Sequence, residues 1–269
     1  MERLLVLDLE TVPDLAAGRR LLGSTAPEDD AALRAALGAR HAPRESADPA
    51  TAFLKPPLHR IGALAALRAE RPGPGEPWRP VRLTVQQTAD RDEAAILADL
   101  ERGLGGRPHP VLVGFNTLGF DLPVLRYRAL ALGVAMPNLL NDGVGRRYCY
   151  RFGSDHLDLC DLLSGYGASQ RPSLAEAAAL VGLTVKQGLD GAGVEAAIAA
   201  GRAAEVAGYC AADVAATWLL FLRFGVAVGL HDAGDARLSA DAFAAFCEAE
   251  PWPELGPAIE AARSLAEDD

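Results

Sequence analysis

The sequence predicts an α/β or α+β domain built around a mixed sheet, on three observations. The chain begins with an almost unbroken apolar run, Leu4-Leu5-Val6-Leu7-Asp8-Leu9-Glu10-Thr11, of the kind buried on both faces near the middle of a sheet. Two segments, 61–68 and 81–85, flank the Pro/Gly-rich stretch 71–80 as a hairpin that pairs with this first strand. Strand and helix then alternate, first as 111–115 with 120–132, then as a short strand at 156 running into a helix by 161.

Taken in order, residues 14–57 read as an insertion containing a helical segment at 29–37. Residues 61–68 fit either strand or helix by pattern, whereas Val81-Arg82-Leu83-Thr84-Val85 alternates as a strand does. A helix is predicted over 90–104, with Asp90 as N-cap, Ala94, Ile96, Leu97 and Leu100 buried, and Gly103, Gly105 and Gly106 ending it. Gly133 stops the helix at 120–132. The segment Arg146-Arg147-Tyr148-Cys149-Tyr150-Arg151 is the most basic and aromatic short stretch. Ser173 and Glu176 form a capping-box pattern at the head of a helix over 173–181, and a long Ala/Leu-rich helix covers 201–224. The domain is therefore expected to span 1–229, with 230–269 as a peripheral helical tail.

Composition narrows the class. At 269 residues, half of them apolar, the chain can bury a full core and is not a disordered polymer. Its 26 Lys and Arg against 36 Asp and Glu give a net charge of −10, which argues against wrapping duplex DNA on a basic face. A small site where divalent metal meets phosphate stays compatible with that charge. No apolar run approaches the roughly 20 residues that span a bilayer, and no secretion signal opens the chain, so no membrane partner is expected. Cys149, Cys160, Cys210 and Cys247 lack CxxC or Cys/His spacing, which points away from zinc and toward a reducing cytoplasm.

The carboxylates carry the chemistry. Asp8 and Glu10 share one face of the first strand, roughly 6.6 Å apart along the chain. No Lys or Arg stands close by in sequence, and like charges on a buried face are costly unless a cation joins them. The alternative is that one of them caps a turn before Pro13. Asp121 lies just past a strand end, either as an N-cap ahead of Pro123 or at the place where open α/β sheets bind ligands. Tyr209 and Asp213 are four apart and share a helix face. Asp213 sits among Ala211, Ala212, Val214 and Ala215, so it faces a ligand or an arginine from elsewhere.

Together, Asp8-x-Glu10-Thr11, Asn116-x-x-x-Phe120-Asp121 and Tyr209-x-x-x-Asp213 resemble the three motifs of the DEDD 3′–5′ exonuclease superfamily. The tyrosine four residues before the last Asp resembles the tyrosine subtype; Gly208 stands where the histidine subtype has His. The chain looks most like the bacterial predicted 3′–5′ exonucleases similar to the proofreading domain of family-B DNA polymerases. That likeness extends to Gly114-Phe115-Asn116, His156-Leu157-Asp158-Leu159, Asp161-Leu162-Leu163-Ser164 and Arg171-Pro172-Ser173-Leu174, and covers residues 3 to about 228.

The resemblance implies an α/β, ribonuclease H-like fold: a mixed five-stranded sheet, its first three strands antiparallel, with helices on both faces. It implies that Asp8, Glu10, Asp121 and Asp213 hold two divalent metal ions, Mg²⁺ or Mn²⁺, roughly 3.5–4 Å apart. By the same likeness Tyr209 orients the attacking water, Leu9 and Thr11 meet the terminal nucleotide, and Asn116 and Phe120 meet the entering strand. Lys186 reaches the scissile phosphate or is an ordinary surface lysine. Arg146, Arg147 and Arg151 hold the strand's backbone or form a solvated ribbon. The implied reaction is metal-dependent hydrolysis from the 3′ end of single-stranded DNA, releasing nucleoside 5′-monophosphates. RNA hydrolysis on the same site, or a silent nucleic-acid-binding module, are the competing readings.

Overall fold

Five strands form one sheet: β1 (Glu2–Pro13), β2 (His59–Arg71), β3 (Arg79–Gln87), β4 (Val111–Gly114) and β5 (His156–Asp158), in the order β3-β2-β1-β4-β5. The first three are antiparallel, and β4 and β5 run parallel to β1. This is the mixed, ribonuclease H-like sheet that the motifs imply. The structure, a computed structural model, describes residues 1–41, 48–140, 148–183, 189 and 191–267.

The insertion carries α1 (Leu15–Leu22) and α2 (Asp30–His41). After the hairpin come α3 (Glu93–Leu104), α4 (Asp121–Leu132) and the short α5 (Pro137–Leu140). Then follow α6 (Leu159–Leu163), α7 (Leu174–Leu180), α8 (Gly191–Ala199), α9 (Ala203–Val228), α10 (Ala233–Cys247) and α11 (Gly256–Glu267). The α3 cap is Asp92, whose carboxylate accepts from the N–H groups of Ala94 and Ala95, so the cap falls two residues later than Asp90. The α7 capping box forms as its spacing predicts.

The two faces of β1 go to two cores. Leu4 and Val6, with Ala63, Ala65 and Leu67 of β2, pack beneath α9; Leu5, Leu7 and Leu9 pack against α3 and α4. Because β2 lies between β1 and β3 and is covered on both sides, it lost the polar alternation that would have marked 61–68 as a strand. Helix α9 crosses β1, β2 and β3. By length and composition it is apolar enough to span a bilayer, with a mean hydropathy of 1.6 over its most apolar stretch, contrary to the sequence expectation. Yet 61% of that stretch is buried inside the fold, as befits a core helix.

The C-terminal segment is helical but not peripheral. Ala240, Phe243, Ala244 and Cys247 of α10, and Ala258, Ala262 and Leu265 of α11, belong to the same core as α9. Trp218 stacks on Phe243 with ring centroids 5.9 Å apart, and the backbone N–H of Trp78 donates to Ser239 Oγ at 2.8 Å. Nearly half of the tail's buried residues are alanines, which weigh little in hydropathy but let helices approach closely. The insertion keeps a small core of its own, Leu33, Leu37, Leu54 and Leu58. It is fastened to the main body by Arg128 of α4, whose guanidinium binds Asp14, the α1 cap, at 2.5 Å and Glu93 of α3 at 2.7 Å.

Candidate active site

Asp8 and Glu10 continue the face of β1 on which Leu4 and Val6 lie, so they point toward α9. A β-bulge between Glu10 and Thr11 breaks the β1–β2 ladder there, a device that re-aims side chains at a strand end. Helix α9 brings Asp213 to the same spot. Ligand oxygens of Asp8, Glu10 and Asp213 all lie within 4.8 Å of one another. Asp121 stands outside that triplet but close enough for its charge to be felt: it is the first residue of α4, buried, and repelled by Asp8 and Asp213. Phe120, not Asp121, occupies the α4 cap position, which sets aside the capping alternative for Asp121.

Among the described residues no Lys or Arg pairs with any of the four. The arginine alternative for Asp213 therefore finds no support within that part of the chain. The Oδ1 atoms of Asp121 and Asp213 are buried without a hydrogen-bond partner, a costly state that a cation would relieve. A neutral side-chain donor does reach the set: the Cys210 thiol donates to Asp8 Oδ2 at 3.3 Å.

The carboxyls respond as crowded, buried acids must. Burial lifts Asp8 from 3.8 to about 6, against the pull of the Cys210 thiol and the Leu9 N–H. Burial again, then repulsion from Asp8, Asp213 and Asp121, drives Glu10 well above its usual range. Asp121 is raised by burial and by Asp8, and Asp213 by burial and Asp8. An all-oxygen set of acids that resists ionising alone fits a hard divalent cation.

The loop after β4 is held by a carboxylate of a different kind. Asp158, which caps α6, accepts from the N–H groups of Asn116 at 2.9 Å and Leu118 at 2.8 Å. Asn116 adopts a left-handed φ of 59°, a region Asn tolerates, and a Cβ on Gly114 would collide with the buried Thr117. The Asn116 amide oxygen accepts from Arg171 at 3.2 Å, and Arg171 also binds Asp161 at 2.9 Å. Arg151 grips Asp161 as well and lies over the Tyr166 ring.

Beside Glu10 opens a cleft of about 710 Å³, lined in part by Leu9, Thr11, Asn116 and Phe120. Four of the five side chains assigned to substrate contact thus line one cleft. Leu9 is nevertheless largely a core residue, and the Thr11 hydroxyl is already bonded to His59. Tyr209 is half-buried one helical turn ahead of Asp213. Lys186, Arg146 and Arg147 lie outside the described residues. Arg151 is engaged by Asp161 rather than free along a ribbon.

Sequence reasoning missed three groups of contributors. Asp158 and Asp161 appeared in it only as part of a likeness; their cap-like three-residue spacing was the available signal for an anchor. Cys210 was noted without a role. Phe53, Lys55 and His59 line the cleft from the insertion and the start of β2, and no local pattern marks them.

The sheet order, with an acidic centre at the end of its middle strand, is that of an α/β, ribonuclease H-like domain. The chain belongs to the family described as predicted 3′–5′ exonucleases related to the exonuclease domain of PolB, whose model matches residues 51–250. That match starts after β1, leaving Asp8 and Glu10 outside it, and runs on through α10, past the limit of residue 228 read from the motifs. Among solved structures the chain is similar to the family B DNA polymerase of the hyperthermophilic archaeon Pyrobaculum calidifontis, with 19% identity and a TM-score of 0.49. The likeness covers 91% of this chain but only 29% of that polymerase chain. No curated protein matches the chain.

Proposed function

We propose that the chain is a metal-dependent 3′–5′ exonuclease acting on single-stranded DNA, of the tyrosine subtype, and that it releases nucleoside 5′-monophosphates. The observation that carries this reading is the gathering of Asp8, Glu10 and Asp213 within 4.8 Å, with Asp121 beside them and no arginine or lysine partner among the described residues.

Asp8, Glu10, Asp121 and Asp213 would hold two divalent ions, Mg²⁺ or Mn²⁺. Such ions supply a water of lowered pKa and neutralise charge on the departing 3′ oxygen. The chain's own groups do the positioning. The Cys210 thiol fixes the orientation of Asp8. Tyr209 holds the attacking water by its hydroxyl, as a hydrogen-bonding group rather than as a base. Phe120 and Asn116, on the cleft wall, meet the incoming strand. The four cysteines are all free thiols, which suits a reducing cytoplasm.

The test is direct. With Mg²⁺ or Mn²⁺, a 5′-labelled single-stranded DNA should shorten from its 3′ end, and chelation should stop it. Equal or faster shortening of RNA would move the assignment to an exoribonuclease, and binding without shortening of either would make the chain a silent module. Tyr209→Phe should slow turnover about tenfold, the worth of one hydrogen bond, while leaving metal affinity unchanged by calorimetry.

A further inference from the structure

The insertion ends in an exposed aromatic that the fold does not need. Phe53 is 61% exposed at the rim of the cleft, with its ring centroid 5.1 Å from Phe120 and 5.0 Å from His59. His59 meets Phe120 edge-on at 5.1 Å, so the three rings make one continuous apolar wall. Phe53 thus extends the aromatic wall of the cleft while keeping more than half of its surface open to a ligand.

The wall is tied to the acidic centre through hydrogen bonds. His59 Nε2 lies 3.1 Å from the Leu54 carbonyl, which can only accept, so that nitrogen carries the proton. Nδ1 of the neutral ring must then accept from the Thr11 hydroxyl, 2.8 Å away. Leu54 itself is anchored in the insertion's small core. The position of Phe53 is thus set, through Leu54, His59 and Thr11, by the residue that follows Glu10. Lys55 lines the same cleft, exposed and without an ion pair among the described residues. Arg34, by contrast, is consumed by Glu195 at 3.0 Å and the Ala52 carbonyl at 2.9 Å.

Resting on the nuclease reading, we propose that the insertion completes the substrate site, with Phe53 as the platform on which the base of the 3′-terminal nucleotide stacks against the Phe120 wall. A cleft of about 710 Å³ falls in the range that holds small organic ligands. Every base offers a π-face, so this platform grips the end of a strand without choosing its sequence. Lys55 contributes a positive charge toward the strand's phosphates.

Steady-state hydrolysis of single-stranded DNA with Mn²⁺ tests this, using strands that end in a normal or an abasic 3′ nucleotide. Phe53→Ala should raise KM for the normal end about tenfold and change kcat by less than about twofold. The wild-type enzyme should lose the same factor on the abasic end, and Phe53→Ala should lose nothing more on it. Phe53→Trp should restore the wild-type KM. Unchanged KM in Phe53→Ala, or losses that multiply when the variant meets the abasic end, overturns the proposal while leaving the nuclease reading intact. If the wild-type protein degrades no strand with Mn²⁺ or Mg²⁺, the nuclease reading falls and this proposal falls with it.

Discussion

Two groups of buried and half-buried acids differ in their partners. Asp14 and Glu93 share the guanidinium of Arg128, and Asp161 is held by Arg151 and Arg171. Asp8, Glu10, Asp121 and Asp213 are also withdrawn from water, but among the described residues no basic side chain faces them. The arginines hold Asp161 below the usual carboxylate range, whereas the four unpartnered acids are pushed above it. The first kind of acid pins the insertion and, through Arg171 and Asn116, steadies the loop after β4; the second kind finds no countercharge among the described residues. Structure and chemistry are thus divided between the two.

The comparison predicts opposite outcomes for removing an acid or its partner. Asp213→Ala should cut hydrolysis by at least about a thousandfold, since a metal clamp contributes several kcal/mol to the transition state, while circular dichroism shows an intact fold. Arg128→Ala should behave in reverse. It strands two buried carboxylates and should cost about 3–5 kcal/mol of stability in urea titrations, with the kcat of the surviving folded protein close to wild type.

The metal-free protein should also show an inverted pH response. In the folded chain Asp8 titrates near 6 instead of 3.8, so between these values the folded state binds more protons than the unfolded state. Stability therefore falls as pH rises through that window, and Asp213→Asn should raise the Tm at pH 7.5 more than at pH 4. Mn²⁺ affinity should increase over the same window, because its ligands must shed protons. The smallest effect belongs to Arg171→Ala. Its half-exposed ion pair contributes at most about 1 kcal/mol, and the result should be a modest rise in KM through a loosened Asn116.

Much of this was legible before any coordinates. Alternation along Leu4 to Glu10 already put Asp8 and Glu10 on one face, and the spacing of Tyr209 and Asp213 put them on one side of a helix. These are local periodicities, and local periodicity survives in sequence. What did not survive is contact between distant segments whose residues carry no pattern. The alanines of α10 and α11 gave no sign of joining the α9 core. Phe53 meets Phe120 across 67 positions of chain, with Arg128 of α4 holding Asp14 at the head of the insertion. Asp90 misled as a cap because Asp92, two residues on, offers the same carboxylate nearer the first helical turn.

The measurement that tests the central claim most directly is anomalous scattering from a crystal soaked in Mn²⁺. The account predicts two manganese peaks lying among the carboxylates of Asp8, Glu10, Asp121 and Asp213. A soaked crystal with no peak there, or with a lysine or arginine seated among those four acids, would contradict it.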